Sequence, residues 1–277
     1  MSVLYVVATP IGNLKDITDR AVKILETVDV IAAEDTRRTV ILLKHLGIEK
    51  KEVTSFHKFN EKSKTAYLLK RLHAGDTVAL VSDAGTPLIS DPGFSLVERV
   101  WSDKIQVSPI PGASSVTAAL SVCPFKCESW TFLGFLPTKK TEKEKLLVRA
   151  LARSEVFVFF DSPRRIMATL ELLESKCDRK VMVVREMTKI FESMYVGHSS
   201  DVKKEIESDL KGEMLCIVEG GSVEVTDVDA EKLLPILLEH HDTVTAAKIG
   251  AKILGKRKQD LYGLASKFSK YKSDKRP

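Results

Sequence analysis

The first 125 residues alternate between short apolar runs and longer stretches whose apolar positions recur with helical spacing. Runs that are apolar throughout favour strands buried on both faces, and their alternation with helices favours a mostly parallel sheet covered on both sides. The predicted strands read LYVVAT, VDVIAAED, EVTSFH, TVALVSD and IQVSPIP, and the predicted helices cover residues 16–27, 37–46, 60–73 and 94–102.

The same pattern starts again after residue 129 and indicates a second α/β or mixed-sheet domain, with a linker near residues 123–129. Its predicted strands read WTFLGFLP, VFVFFDS, VMVVREM, SMYVGH and EMLCIVEGG, with helices at 142–152 and 164–175. From residue 229 strand-like runs stop and helical segments follow, among them 244–254 and 258–268. We therefore predict two α/β domains, at 1–124 and 125–224, and a small helical appendage at 229–277.

Composition adds few constraints. The chain has 277 residues, of which 44% are hydrophobic and 29% charged, as in ordinary globular proteins. Its four cysteines lack the spacing of a metal site or a disulfide framework, and we interpret EHHD at 239–242 as a solvated helix end, so no metal is predicted. No apolar run reaches the ~20 residues of a membrane span. The first ten residues resemble a strand and not a signal peptide, so we expect a cytoplasmic protein with no membrane partner.

The positive charge of the chain is concentrated at its end. Residues 241–277 hold ten Lys or Arg and three Asp or Glu, a balance of +7, whereas the whole chain carries +5. Residues 1–240 are therefore slightly acidic. Such a basic segment favours a polyanionic partner, although a merely solubilising role explains it about as well.

Three loops follow predicted strands of the first domain and are rich in glycine, proline and hydroxyl residues: TPIGNL, SDAGTP and PGASS. In open α/β sheets, ligands bind outside the carboxyl ends of the strands, where these loops lie. Each loop alone would be an ordinary turn, but three at one edge indicate a binding site.

The charge of these loops selects the ligand. Asp83 and Asp91 flank the loop after the fourth strand, and uncompensated carboxylates repel phosphates. They suit a cationic ligand such as an amino-acid ammonium or a sulfonium, while the backbone near Gly85 and Gly112 can bind polar edges of a nucleoside. No G-x-G-x-x-G follows a strand, and GAKILGKR at 250–257 lacks both the Ser or Thr and the preceding strand of a P-loop. These features suggest S-adenosylmethionine.

Eight motifs occur in an order that resembles the ribosomal RNA small subunit methyltransferase I family, of the tetrapyrrole methylase superfamily. They read TPIGNL, AAEDTRRT, SFHKFNE, VSDAGTPLISDPG, PIPGASSVTAALS, GFLPTKK, SPRRI and VVREMTKI. The resemblance is strong over residues 1–222 and weaker over the helical segment. It implies two α/β domains of the tetrapyrrole methylase type (class III methyltransferase), S-adenosyl-L-methionine as cofactor, and usually a homodimer. It also implies 2′-O-methylation of a cytidine ribose in the decoding region of 16S rRNA, within the small ribosomal subunit.

The chain departs from the family pattern at two places that bear on the predicted site, and CPFKCES replaces the usual small, polar inter-domain stretch. FDSPRR, with Phe160, Asp161 and Arg164, stands where relatives usually read Tyr-Glu-Ser-Pro-His-Arg, and Phe191 stands where a histidine is common. A role for that histidine as an obligatory base therefore cannot be carried over to this chain.

Candidate residues for the transfer itself lie in AAEDTRRT. We interpret Glu34 or Asp35 as the proton acceptor or as the group that orients the ribose, and Arg37 as a phosphate clamp. The competing interpretation is that Asp35 or Thr36 caps the following helix and both arginines face solvent. Cofactor contacts are assigned to the strand-end loops and, by resemblance, to the second domain: Pro10, Ser82, Asp83, Ala84, Gly85, Thr86, Ser114, Ser115, Phe160 and Met214.

RNA contacts are assigned to basic and polar residues around the same cleft. They are Arg38, His57, Lys139, Lys140, Arg164, Arg185, Glu186 and Lys189. A solvated face explains the lysines equally simply, and a structural ion pair explains Arg185 with Glu186. Two rival functions remain open: a tetrapyrrole methyltransferase of the same superfamily, and a non-catalytic RNA-binding ribosome-assembly protein. The basic residues weigh against the first and the intact strand-end loops against the second.

Overall fold

The computed structural model describes residues 2–207, 210–221 and 227–273, without the side chains of 227–229 and 270–273. The chain forms two compact units. The first comprises Met1–Leu151 with Glu155–Gly221, and the second comprises Ala152–Ser154 with Ser222–Pro277. The predicted three-part division at 1–124, 125–224 and 229–277 stays a prediction.

The first sheet has five strands in the order β3-β2-β4-β1-β5, and every neighbouring pair is parallel. This confirms the predicted parallel α/β architecture, in which all strands deliver their carboxyl ends to one edge. The strands are β1 (Val3–Val7), β2 (Val30–Ala33), β3 (Glu52–Ser55), β4 (Val78–Val81) and β5 (Gln106–Ile110). The helices are α1 (Asp19–Thr27), α2 (Thr36–His45), α3 (Glu61–His73), α4 (Phe94–Ser102) and α5 (Ser115–Ser121).

Alternate strand residues supply the two apolar layers of this sheet. Leu4, Val30 and Leu80 pack with helices α3 and α4, whereas their neighbours Ile31 and Val81 pack with α1 and α2. The strands β2 and β4 are buried throughout, which explains their unbroken apolar sequence.

The first helix begins later than its apolar spacing predicts. Asn13 caps a separate 3-10 turn at Leu14–Asp16, and the Thr18 side chain then accepts from the Ala21 backbone N–H as the cap of α1. Two capping side chains five residues apart divide the predicted helix of residues 16–27, because each fixes a separate helix start.

The second sheet of the first unit is mixed, in the order β6-β7-β10-β8-β9. Only β6 and β7 are parallel, and the remaining pairs are antiparallel. Its strands are β6 (Trp130–Phe135), β7 (Val156–Asp161), β8 (Lys180–Arg185), β9 (Ser193–His198) and β10 (Met214–Val218). Its helices are α6 (Lys140–Leu151), α7 (Pro163–Glu174) and α8 (Ser199–Ile206), the last of which was not predicted.

Helix α5 joins the two sheets, because it follows β5 of the first sheet yet packs on the second. Val116 and Ala119 share an apolar cluster with Val158, Leu215 and other residues of β7, β8 and β10. Helices α6, α7 and α8 cover the opposite face of that sheet. The carboxyl edge of the first sheet is thereby held against the second sheet within one unit.

The second unit contains α9 (Asp227–His240), α10 (Thr243–Leu254) and α11 (Lys258–Ser273). Asp242 caps α10 through the backbone N–H groups of Val244 and Thr245, and Gly255 ends it at a φ of 63°. Their core is formed by small and branched residues of all three helices: Ala230, Leu234, Ala247, Leu261 and Ala265. Ile253, near the end of α10, is 61% exposed. In the described part of the chain, no helix has the length and apolar character to cross a membrane.

Candidate active site

A cavity of about 470 Å³ lies in the first unit, between the carboxyl edge of the first sheet and residues in or beside strands β6, β7, β8 and β10 of the second sheet. This size is typical of a small-molecule site. The first sheet contributes a polar wall from the loops after β2, β4 and β5: Glu34, Arg38, Asp83, Ala84, Gly85, Thr86, Ile89, Ser90, Asp91, Ser114 and Ser115. The second contributes a mainly apolar wall that includes Phe135, Phe160, Val184, Met187, Met214 and Leu215.

The loops after β1 and β4 are tied together at the cavity. Thr9 and Gly85 exchange both backbone hydrogen bonds, at 2.9 and 3.0 Å, and the Thr9 hydroxyl donates to the Ser82 carbonyl at 3.2 Å. Gly85 has a φ of 81°, so glycine suits this turn. Farther along the loop, Leu88 and Ser90 both have a φ of 72°, which is unfavourable for residues with a Cβ. Such backbone strain is typical of functional loops.

Three carboxylates face the cavity from the first sheet. The Asp83 backbone N–H donates to Glu34 Oε2 at 3.3 Å, and the Asp83 side chain accepts from the Asp35 backbone N–H at 2.9 Å. Arg38 lies 3.5 Å from Asp83, with a side chain that is 61% exposed. Burial, together with the charges of Glu34 and Asp83, raises the pKa of Asp91 to about 6. This wall therefore has an excess of negative charge that a cationic ligand would neutralise.

The remaining part of the polar wall comes from the start of α5. The Thr86 hydroxyl donates to the Ala113 carbonyl at 3.2 Å and so joins the loops after β4 and β5. A Cβ on Gly112 would lie 2.9 Å from the Ala8 Cβ, so only glycine allows this close approach. Ser114 and Ser115 are brought to the cavity by this packing.

A largely buried polar network adjoins the apolar wall, and its Asp161 and Ser162 also line the cavity. Asp161 accepts from the Thr169 hydroxyl at 2.6 Å, from Arg165 at 2.8 Å and from the Ser162 backbone N–H at 2.8 Å. Lys143 is buried and donates to Thr169 at 2.9 Å, and its burial lowers its pKa. The Lys143 ammonium group therefore has its hydrogen-bond partner inside the protein.

Asp35 and Arg37 stand beside the cavity and do not line it. The Asp35 carboxylate caps α2 and accepts from Arg37 side-chain nitrogens at 2.6 and 3.0 Å. These hydrogen bonds lower the pKa of Asp35 to about 2, which makes it a weak proton acceptor. The capping alternative thus describes the geometry of Asp35, and the catalytic roles of the pair stay predictions.

A second, smaller cavity of about 240 Å³ shares Ile11, Arg38, Asp83, Ala84 and Glu213 with the first. Three of the predicted site residues line it alone: Pro10, Ser82 and Lys189. The Ser82 hydroxyl is 3.3 Å from the Gly85 carbonyl, so it also holds the loop in shape.

The loop after β8 closes this smaller cavity from the second sheet. Lys189 donates to Glu186 at 2.9 Å and to Glu213 at 3.1 Å, while Arg185 is buried and donates to the Lys211 and Phe191 carbonyls. Glu186 itself adopts a φ of 49°. These predicted RNA contacts are thus mostly engaged within the protein.

Of the other predicted RNA contacts, Arg38 lines both cavities, whereas His57, Lys139, Lys140 and Arg164 lie outside them. Lys139, Lys140 and Arg164 are exposed, and Lys139 pairs with Glu142 at 3.1 Å. His57 lies at the end of β3, where its Nδ1 is buried without a hydrogen-bond partner among the described residues. Across the described part of the chain, no cluster of side chains suited to a metal ion occurs.

Sequence reasoning assigned no role to several cavity residues, among them Phe135, Ile89 and Glu213. Phe135 belongs to the GFLPTKK motif, whose Lys139 and Lys140 were predicted RNA contacts, and this motif was the sequence feature that could have indicated a role for it. Ile89 belongs in the same way to the VSDAGTPLISDPG motif, whereas Glu213 lies in none of the quoted motifs and its access to the cavity depends on strand pairing.

Comparisons with known proteins agree with this architecture. Residues 3–203 match the model of the Tetrapyrrole (Corrin/Porphyrin) Methylases. The ribosomal RNA small subunit methyltransferase I of Pasteurella multocida is 41% identical over 94% of this chain and 95% of its own length. The protein of that name from Thermotoga maritima is 44% identical over 79% of this chain and 99% of its own length.

A solved structure shares the fold at low sequence identity. Uroporphyrin-III C-methyl transferase from Thermus thermophilus, complexed with S-adenyl homocysteine, superposes with a TM-score of 0.54 at 18% identity. The match covers 79% of this chain and 97% of that one. The match to the family model and the sequence relatives together show that this chain belongs to the tetrapyrrole methylases and, within them, to the ribosomal RNA small subunit methyltransferase I family.

Proposed function

We propose that this chain transfers a methyl group from S-adenosylmethionine to RNA of the small ribosomal subunit, at the 2′ hydroxyl of a cytidine in the decoding region. The names of relatives at 41% and 44% identity support RNA of the small subunit as the substrate. The observation that carries the proposal is the cavity in which an acidic wall faces an apolar one.

The residues of this cavity fit S-adenosylmethionine. Its sulfonium and ammonium groups match the carboxylates of Asp83 and Asp91, and its adenine matches the apolar wall near Phe160 and Met214. A structure of the same fold is complexed with S-adenyl homocysteine, which supports this assignment. When bound, the cofactor supplies an electrophilic methyl group.

The protein must orient the ribose and accept the proton of its 2′ hydroxyl. Glu34 lines the cavity and is held by the Asp83 backbone N–H, whereas Asp35 is committed to Arg37 and the start of α2. Glu34 is therefore the favoured proton acceptor of the two. Alignment of two bound reactants can lower a barrier by roughly 7–11 kcal/mol, more than the ~10²–10⁴-fold from a general base. Positioning should dominate the rate.

Exposed basic side chains surround the cavity and suit phosphate contacts. The Arg37 side chain is 87% exposed despite its ion pair with Asp35, and Arg38 reaches the cavity with most of its side chain exposed. We assign phosphate contacts to these arginines and to Arg164, Lys139 and Lys140. Arg185, Glu186 and Lys189 would then shape the loop against which RNA docks.

We further propose a homodimer, as the family resemblance implies. We also propose a cytoplasmic location and three domains in each subunit, as the sequence pattern predicts. The edge strand β9 exposes Met194 and Val196, which are 41% and 45% exposed and would suit a partner subunit. Sedimentation of the purified protein tests the dimer directly.

The activity is tested with S-adenosylmethionine labelled on the methyl group and three acceptors: small ribosomal subunits, free 16S rRNA and a tetrapyrrole. We expect label in RNA, in a dinucleotide that resists alkaline hydrolysis because its 2′ hydroxyl is methylated. Mass spectrometry then identifies the nucleoside. Label in a base or in the tetrapyrrole, or none at all, would contradict the proposal.

A further inference from the structure

Phe135 combines two properties that differ from those of the rest of the apolar wall. It lines the cavity, yet 62% of its surface is exposed, whereas Met214 and Leu215 are buried. Its ring centroid lies 5.1 Å from that of Phe160, with the planes inclined by 45°. The inner wall can therefore enclose a ligand, while Phe135 presents an aromatic surface at the rim.

A bulge in β6 places this ring at the cavity. Phe132 pairs with Val158 of β7, but Phe135 pairs with Phe160. Between these two pairs β6 advances by three residues while β7 advances by two, so β6 contains one extra residue. Both phenylalanines consequently contact the Phe160 ring, each at a centroid distance of 5.1 Å. In a regular strand, residues three apart would point to opposite faces. Bulges re-aim side chains in this way beside active sites.

Gly134 makes the bulge possible and ties it to the first sheet. It has a φ of 66°, and a Cβ built on it would lie 3.3 Å from the Ser90 hydroxyl. Ser90 belongs to the strained loop after β4, in which the neighbouring Ile89 is 45% exposed and also lines the cavity. Two exposed apolar side chains, Phe135 and Ile89, therefore line the same cavity from the two sheets.

We propose, on the basis of the proposed function, that Phe135 is the stacking platform for the base of the nucleotide that is methylated. Proteins read unpaired RNA by stacking its bases on aromatic side chains, and such stacking tolerates any base because every base has a π-face. Arg38 reaches the same cavity and can hold the adjoining phosphate. An adenine of the cofactor would instead be enclosed by the buried part of the wall.

Three substitutions separate a stacking role from simple bulk. Phe135→Ala removes the ring, Phe135→Leu keeps apolar volume without a π-face, and Phe135→Trp keeps the platform. Trp101→Ala is the matched control, because this aromatic residue is 65% exposed near the end of α4, which leads to the amino end of β5. Thermal unfolding of each variant shows whether it folds as the parent does.

The measurements are the affinity for S-adenosylmethionine by calorimetry and single-turnover methyl transfer over a range of small-subunit concentrations. We expect Phe135→Ala and Phe135→Leu to raise the half-saturating RNA concentration by about five- to a hundred-fold, as for the loss of one stacked base. Cofactor affinity should change less than two-fold. Phe135→Trp and Trp101→Ala should behave as the parent.

Each unfavourable outcome has a distinct meaning. If Phe135→Ala loses cofactor affinity in step with activity, the ring belongs to the cofactor site. If Phe135→Leu matches the parent, no base stacks on the ring. Either result overturns the inference, whereas a parent protein that transfers no methyl group to RNA contradicts the proposed function itself.

Discussion

Acidification should weaken the binding of S-adenosylmethionine through one side chain, Asp91. This carboxyl lines the cavity, and burial with the charges of Glu34 and Asp83 raises its pKa to about 6. A cationic ligand favours the ionised form, so binding near pH 5 must first remove a proton that is already absent at pH 7.5. We expect affinity to fall as the pH drops below about 6.

The size of the effect follows from the pKa shift. Because the pKa of Asp91 is raised by about 2 units, the ionised carboxylate is disfavoured in the protein by about 3 kcal/mol. Because Asp91 is only half-buried, solvent screening reduces this to about 1–2 kcal/mol. At ~4 Å and an effective dielectric constant of about 20, a ligand cation gains about 4 kcal/mol, enough to restore ionisation. Affinity at pH 5 should therefore be about ten-fold lower than at pH 7.5.

Calorimetry at pH 5, 6 and 7.5 measures this dependence, in paired buffers of different ionisation enthalpy that report proton release. Asp91→Asn should bind with an affinity nearly independent of pH, and Asp178→Asn, which changes a 99% exposed side chain, should match the parent. S-adenosylhomocysteine lacks the sulfonium charge but keeps the ammonium. If its affinity is flat while that of the cofactor is not, Asp91 faces the sulfonium.

The same pKa shift predicts the stability of the ligand-free protein. A raised pKa contributes stability that is complete below about pH 3.8 and is lost as the pH rises through about 6. At pH 7.5 the free energy of unfolding of Asp91→Asn should consequently be about 1 kcal/mol higher than that of the parent, measured by denaturant unfolding.

Two results would refute this reasoning about Asp91. One is a parent affinity for S-adenosylmethionine that stays constant from pH 5 to 7.5, and the other is an Asp91→Asn variant whose affinity still depends on pH.

Three further predictions concern other parts of the chain. Glu34→Gln should lower methyl transfer by roughly 10²-fold with cofactor affinity within a few-fold, measured by single turnover and calorimetry; joint loss would place Glu34 on the cofactor. Gly12→Ala should lower the free energy of unfolding of the first unit by about 1–3 kcal/mol, measured with denaturant, because the new Cβ would lie 2.9 Å from the Met187 carbonyl oxygen. An unchanged free energy of unfolding would mean that the loop can shift to accommodate the methyl group. Replacing exposed Lys248 and Lys252 with Gln should reduce the slope of log RNA affinity against log salt by up to about 2 and spare cofactor affinity; an unchanged slope would mean that the helical unit only solubilises.

The carboxyl edge of the first sheet was predictable because a parallel sheet leaves few alternatives. Once apolar runs alternate with helices, the loops after β2, β4 and β5 must share one edge. Asp83, Thr86 and Ser115 could therefore be grouped from the sequence although they lie far apart in it, and the structure places all three along one cavity.

The contribution of the second sheet was not predictable in the same way. Its order β6-β7-β10-β8-β9 inserts the last strand between earlier ones, so Met214 and Glu213 reach the cavity through pairings that chain order does not reveal. Phe135 depends in addition on the bulge before it. A short apolar strand such as WTFLGFLP shows a glycine but not the register shift that the glycine permits.

Charge was the least reliable guide, because a sequence shows which side chains are ionised but not which already have partners. Lys143 and Arg185 lie in basic sequence segments of the kind that bind RNA, yet both side chains are buried and hydrogen-bonded within the protein. The acidic wall behaves in the opposite way. Its backbone N–H donors hold Glu34 and Asp83 in place, while Asp91 keeps a raised pKa that burial and its neighbours impose. A cavity that folds with unneutralised negative charge stores free energy that a cationic ligand recovers on binding, and this links the stability of the empty protein to its choice of cofactor.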